Sequence, residues 1–347
     1  MNFSKKTKLP VALASAVICL LLLITGCAPH AEKIAKPEPE PQMPEAVTLA
    51  LKFTPEDSTT YRLTTEEQQT LKFEGTLASD ADSKGGHSSN KTEMTFTQQI
   101  QSIDDEGNAV AKITIKGLKC SSVYRDKPTL NFDSSTEKDR DNPLVRLIGK
   151  SYEIEITPAG EVSKIVDARN VRIASRVRFP TSKAAARVAA MLVSSDAIKR
   201  RHAVPVLPAI DKNRLRPGDK WSNTKVFPFP LVGSKSYERI YTLKESKSTD
   251  GRQIATVEMN AIPSSEIAEQ LHEEQAANVF SKMFDNPIDS YTGHLKLDLT
   301  AGKVEKYLEK LQSEWVVVDP SVRQQGDKDP GAIRMGTIRL HRLEKVD

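Results

Sequence analysis

Between residues 109 and 299 the chain repeatedly alternates apolar and polar residues with a period of two. Ala111, Ile113 and Ile115 alternate with Lys112, Thr114 and Lys116, and Tyr152, Ile154 and Ile156 with Glu153 and Glu155. Ala255, Val257 and Met259 alternate with Thr256 and Glu258, and Leu295, Leu297 and Leu299 with Lys296 and Asp298. Gly, Asp or Pro turns bound each run. Successive side chains of a strand point to opposite faces, so such runs build sheets with one dry and one wet face, which antiparallel sheets allow. The predicted fold is mainly β, of α+β type, with curved antiparallel sheets and covering helices.

The runs recur in a fixed order. Thr54-Pro55-Glu56-Asp57 leads to Tyr61, and Arg216-Pro217-Gly218-Asp219 leads to Trp221. The acidic turns Asp105-Glu106-Gly107 and Asp250-Gly251 follow, and Asp-Asn-Pro recurs at 141–143 and 285–287, with Gly149 and Gly293 beyond. Both series end in matching turns, Pro158-Ala159-Gly160 and Thr300-Ala301-Gly302. Ordered landmarks of this kind predict two related β-rich halves. Leu77–Lys91, rich in Ser, Gly and Asp, reads as a loop inserted in the first.

Two segments carry helical spacing instead. Residues 182 to about 201 place Ala184, Ala185, Ala186, Val188, Met191, Leu192 and Ile198 at such intervals before Pro205 and Pro208 stop them. Residues 264–284 start with a Ser cap and set Ile267, Leu271, Val279, Phe280 and Met283 near one side, ending at Asn286-Pro287. Lys199-Arg200-Arg201-His202 reads as a helix C-terminus, where cations complement the backbone dipole.

Catalytic signatures are missing. The chain has no His-Glu-x-x-His, no Gly-x-Ser-x-Gly and no phosphate-cradling glycine loop. Ser135-x-x-Lys138 lies in an acid-rich loop rather than at a helix start. The loop acids Asp133, Glu137, Asp139 and Asp141 lack the glycine of a calcium loop. No two of His30, His87, His202, His272, His294 and His341 stand at metal-ligand spacing. His294 and His341 read as polar-face strand residues and His272 as part of an acidic helix. Cys120 reads as a small buried hydrophobe, and Trp221 and Trp315 as core. No cofactor, metal or catalytic residue is expected. Phe227-Pro228-Phe229-Pro230-Leu231 reads as an exposed aromatic stretch, so Phe227, Phe229 and Leu231 are the candidate contacts for a ligand or partner.

The N-terminus carries the most specific pattern. Lys5, Lys6 and Lys8 precede an uncharged run, Leu9 to Ile24, and Thr25-Gly26 then leads to Cys27. This resembles the lipobox of bacterial lipoproteins. The resemblance implies cleavage before Cys27, a lipid such as palmitate on its thiol, and a cell-envelope location. It also implies, from Ala28 in place of an aspartate, the outer membrane facing the periplasm rather than the inner membrane. Losing three lysines leaves a near-neutral mature chain, which excludes a nucleic-acid footprint. The division is then 1–26 signal peptide, 27–47 Pro-rich tether, 48–178 first β-rich half, 179–210 helical connector and 211–347 second β-rich half with one helix.

Pro217-Gly218-Asp219-Lys220-Trp221, Ile156–Val162 and Leu299–Val304 are similar to a family of envelope lipoproteins of unknown function. That resemblance implies a fold and no activity. The expected function is a lipid-anchored envelope protein with a non-enzymatic binding or structural role. Its partner would be a lipid, another lipoprotein or an envelope protein. The alternative is a cell-envelope hydrolase using paired carboxylates, and enzymatic activity is the less favoured expectation.

Overall fold

The computed structural model describes residues 45–79, 85–176, 182–209, 214–229, 233–264, 285–318 and 331–346. Cys27, Leu231, most of the tether and the helix expected over 264–284, apart from Ser264, lie outside the described residues.

One antiparallel sheet of twelve strands makes up most of the fold. The first half threads β2 (Ser58–Glu74), β3 (Gly86–Ile103), β4 (Ala109–Tyr124), β6 (Ser151–Ile156) and β7 (Val162–Asp167) as a meander, with β5 (Lys127–Asp133) hairpinned onto β4. The second threads β9 (Lys220–Phe229), β10 (Gly233–Thr249), β11 (Arg252–Ser264), β12 (Asp285–Asp298) and β13 (Lys303–Val318) in the same manner. β14 (Ala332–Val346) pairs with both β13 and β2, so the halves share a single sheet. A short bridge of β1 (Val47–Thr48) with β8 (Arg214–Leu215) lies apart from it. Val47 is buried there, so the folded part begins inside the expected tether.

The period-two pattern is the reason for these strands. In β4, Ala109, Ala111, Ile113 and Ile115 are fully buried. A bulge opposite Thr95 and Phe96 then shifts the inward positions to Leu118 and Cys120. One extra residue reverses the side-chain parity of everything after it. One pair of landmarks in the sequence repeat takes different places, however. Gly149 turns the chain before β6 with a positive φ, whereas Gly293 sits inside β12.

The second half rolls back on itself. Three strands separate β9 from β13, a gap of about 19 Å in a flat sheet. Yet the Phe229 and Trp315 rings stand 4.6 Å apart, and Arg339 Nη2 in β14 donates to the Pro228 carbonyl at 2.8 Å. In the first half, helices cover the inward face instead. They are α1 (Arg169–Ser175), α2 (Lys183–Leu192) and α3 (Ser195–His202).

Two of these helices replace the one expected over 182–201, and α1 starts before the expected connector. Ser182 Oγ caps α2 by accepting from the Ala185 amide, and Val193 then leaves helical geometry. Ser194 Oγ recaps the chain on the Ala197 amide, because a serine side chain offers the backbone an alternative to continuing the helix. The break lets α3 turn Ile198, Arg201 and His202 into the core.

A single N-terminal segment ties the halves together. The Leu51 amide donates to Pro158 O at 2.8 Å and the Lys52 amide to Gly302 O at 3.1 Å, so the two matching turns are clipped by adjacent residues. Gly302 adopts a left-handed φ of 64°, and a Cβ there would run into the Lys52 backbone. Gly302→Ala is expected to lower unfolding free energy by roughly 2–4 kcal/mol in urea titrations, since backbone strain adds to displacement of Lys52. Gly218→Ala, at φ 98° with open space around it, is expected to cost only about 1 kcal/mol.

Candidate functional site

The inward face of the rolled half carries charge. Glu309 of β13 lies between two cations that arrive from the far side of the roll. Lys225 Nζ of β9 donates to its Oε2 at 2.9 Å, and Arg239 Nη1 of β10 donates to its Oε1 at 2.7 Å. Tyr291 Oη adds a third bond at 3.0 Å. Arg239 Nε continues to Asn223 Oδ1 at 2.7 Å, and Asn223 Nδ2 donates to the Pro205 carbonyl at 2.9 Å. The network therefore runs from the rolled sheet to the segment that follows α3.

Burial works against ionised Glu309, but Lys225 and then Arg239 outweigh it and hold the carboxyl down at about 2. The same burial lowers the Lys225 ammonium, with Glu309 opposing. Tyr291 is pushed up by burial and by Glu309. Glu309 thus stays ionised across the neutral range and has no proton to exchange there. Asp289 is engaged as well: Tyr237 Oη donates at 2.7 Å, Ser313 Oγ at 3.0 Å, and Lys235 sits at its other oxygen. The buried Asp298 accepts from the Thr300 and Ala301 amides and fixes a turn. Glu309, held ionised between two cations, lacks the poised proton that acid–base catalysis requires.

Phe227, Pro228 and Phe229 of the aromatic stretch form the end of β9. Phe229 is buried against Trp315, and Phe227 stands edge-on to Tyr237 and Tyr291 at 5.9 and 5.3 Å. The Arg339 guanidinium lies 5.3 Å from each phenyl ring, and Lys225 Nζ 5.0 Å from that of Phe227. Phe227 and Phe229 therefore pack the roll from inside. On the outer face of β9 stand Val226 and Pro228.

His341, expected on the polar face of its strand, instead faces inward beside Glu309 in the paired register of β13 and β14. Its ring lies 5.7 Å from that of Tyr307, and neither His341 Nε2 nor Tyr307 Oη has a hydrogen-bond partner. Burial holds His341 down at about 4. His202 is buried too, against Phe96 and Tyr152. Arg201 Nη1 donates to Tyr152 Oη at 3.1 Å, so the tyrosine proton goes to His202 Nε2 at 2.6 Å and keeps that nitrogen unprotonated. Burial pushes the imidazole well below its ordinary range, in agreement. The last turn of the basic run is thus a core contact, while Lys199 and Arg200 remain exposed. Burial raises the Cys120 thiol to about 12, which removes it as a nucleophile.

Between the N-terminal segment, Tyr61, Phe96 and His202 lies a cavity of about 40 Å³. It has room for a water or two and none for an acyl chain. Among the described residues no His, Cys, Asp and Glu converge as metal ligands.

Sequence reasoning missed the charged core. Its one signal was parity: Arg239 shares a strand face with Tyr237, Tyr241 and Leu243, and Glu309 with Tyr307 and Leu311.

No family model matches the chain, and no curated protein matches it. Among solved structures it is similar to one of lipovitellin concerned with lipid–protein interactions, at 10% identity and a TM-score of 0.39. The likeness covers 85% of this chain and 26% of that one, so this chain spans about a quarter of its length. At that score the likeness carries no argument about function.

Acid should dismantle the core in two stages. Neutral His341 lies below its unfolded value, so its contribution is present above pH of about 6.5 and lost as pH falls toward 4. Glu309 is likewise depressed, and its contribution, about 3 kcal/mol, is present above pH of about 4.5 and lost toward 2. Urea midpoints measured from pH 7 to 2.5 should flatten in the upper window for His341→Phe and in the lower one for Glu309→Gln. Glu309→Gln should also cost roughly 3–5 kcal/mol at pH 7, because it strands two buried cations.

Proposed function

We propose that this chain is a lipid-anchored protein of the bacterial cell envelope, held through Cys27. Its folded part acts as a non-enzymatic binding or structural module. The self-bonded interior of the rolled half carries this reading: inward charges of Glu309 and Asp289 bond to neighbouring side chains, and aromatic rings pack beside them. Among the described residues, the inward face of the rolled half holds no acyl-sized chamber, and its Glu309 carboxylate has no proton to exchange. Recognition then belongs to the outer surface, with an envelope component as partner. The Leu9–Ile24 run with Thr25-Gly26-Cys27 supports the anchor, and Ala28 favours the outer membrane facing the periplasm.

Two or three acyl chains at one cysteine give a firm anchor, because each buried methylene contributes about 0.8 kcal/mol. Cys27→Ala is therefore expected to abolish incorporation of labelled palmitate and to move the protein from the membrane to the soluble fraction. Unchanged fractionation together with unchanged labelling would overturn the anchor reading.

A further inference from the structure

Charge is unevenly placed along this chain. Residues 169–202 hold nine Lys and Arg against one Asp, a local excess of eight, whereas the whole chain has an excess of four. The remainder is net negative. Eight of these nine cations lie on α1, α2, α3 or their caps, the layer that covers the first half of the sheet, and Arg178 lies outside the described residues.

The surface pattern within that layer is regular. α1 and its C-terminal cap expose Arg169, Ile173 and Arg176, while Val171 and Ala174 face the core. α2 exposes Lys183, Arg187 and Met191 at one-turn spacing, while Ala185, Ala189 and Leu192 face the core. α3 adds Lys199 and Arg200. Ile173 is 64% exposed and Met191 51%, so each outward stripe sets a large apolar side chain among cations. Arg169 pairs with Asp167 at 2.8 Å. Among the described residues Arg176, Lys183, Arg187 and Arg200 have no ion pair. Packing on the sheet explains the inner faces of the helices and leaves these outer stripes unaccounted for.

We propose that the helical layer is a docking surface for an anionic phospholipid bilayer. Cations in this arrangement lie at the depth of the lipid phosphates, while Ile173 and Met191 reach the boundary with the acyl chains. A soluble polyanion would satisfy the charges and leave both apolar side chains in water, which is why a bilayer is the better occupant. The proposal deepens the proposed function and rests on it for the membrane's being within reach. A lipid at Cys27 holds the chain near the surface, and the layer sets which face of the sheet turns toward it.

The test places the full, lipidated chain in phosphatidylethanolamine vesicles containing one-quarter phosphatidylglycerol, with a bimane fluorophore on Met191→Cys. Cys120 is buried, so only the introduced thiol is labelled. Lipids brominated in the acyl chains should quench the fluorophore. Quenching should disappear in phosphatidylcholine vesicles and in the Lys183→Glu/Arg187→Glu form, both with the chain still anchored. No quenching in the phosphatidylglycerol vesicles, with folding verified by circular dichroism, would overturn the proposal. So would heparin binding without quenching, which would assign the cations to a soluble polyanion. Sedimentation of the unlipidated Cys27→Ala chain with the same vesicles separates the two readings. There Lys183→Glu/Arg187→Glu should weaken binding by at least about tenfold whether or not Cys27 carries lipid in the cell.

Discussion

Closing the second half of the sheet brings Glu309 against Lys225 and Arg239 from strands that would be far away if the sheet were flat. An antiparallel sheet with one dry face must bury that face against something. The first half buries it under helices, and the second buries it against itself. Rolling carries charged side chains into the interior, and such charges are tolerated only when paired and hydrogen-bonded. The Lys225–Glu309–Arg239 group meets that condition, and Tyr291 and Asn223 extend it. Phe227, Phe229 and Trp315 then pack the end of the same roll.

This closure decides where function can reside. A wide, water-filled barrel would leave its lining free to bind or to catalyse. Here the described lining is occupied by its own partners, and a cavity near His202 is of water size. Specific recognition therefore moves outward. The helical layer combines unpaired cations with exposed apolar side chains, whereas the outer faces of the strands mix charges of both signs.

Much of the architecture was legible because it depends on local alternation. β4, β6, β11 and β12 follow runs in which apolar residues occupy every second position. β14 shows where that logic fails. Ile338 and Leu340 alternate with Arg339 and His341, so pattern alone turns the two polar residues outward. In the fold both face in: Arg339 lies between Glu67 and the rings of Phe227 and Phe229, and His341 is buried beside Glu309 with its imidazole held neutral. β9 misleads in the same way, with Lys225 inside and Val226 outside. Partners that lie far along the chain, 84 residues apart for Lys225 and Glu309, leave no trace in a local pattern. The break between α2 and α3 was hidden for a different reason: a serine inside a helical run signals a cap only when packing favours turning the chain.

The clip formed by Leu51 and Lys52 has a mechanical consequence. It grips the Pro158 turn of one half and the Gly302 turn of the other, and β1 binds β8 just before it. Tension drawn along the chain from its N-terminal side enters at this seam and loads both halves at once. The bonds at the two turns would have to yield before force reached the long strands. An attachment made at either half alone would instead concentrate the pull on one edge of the sheet.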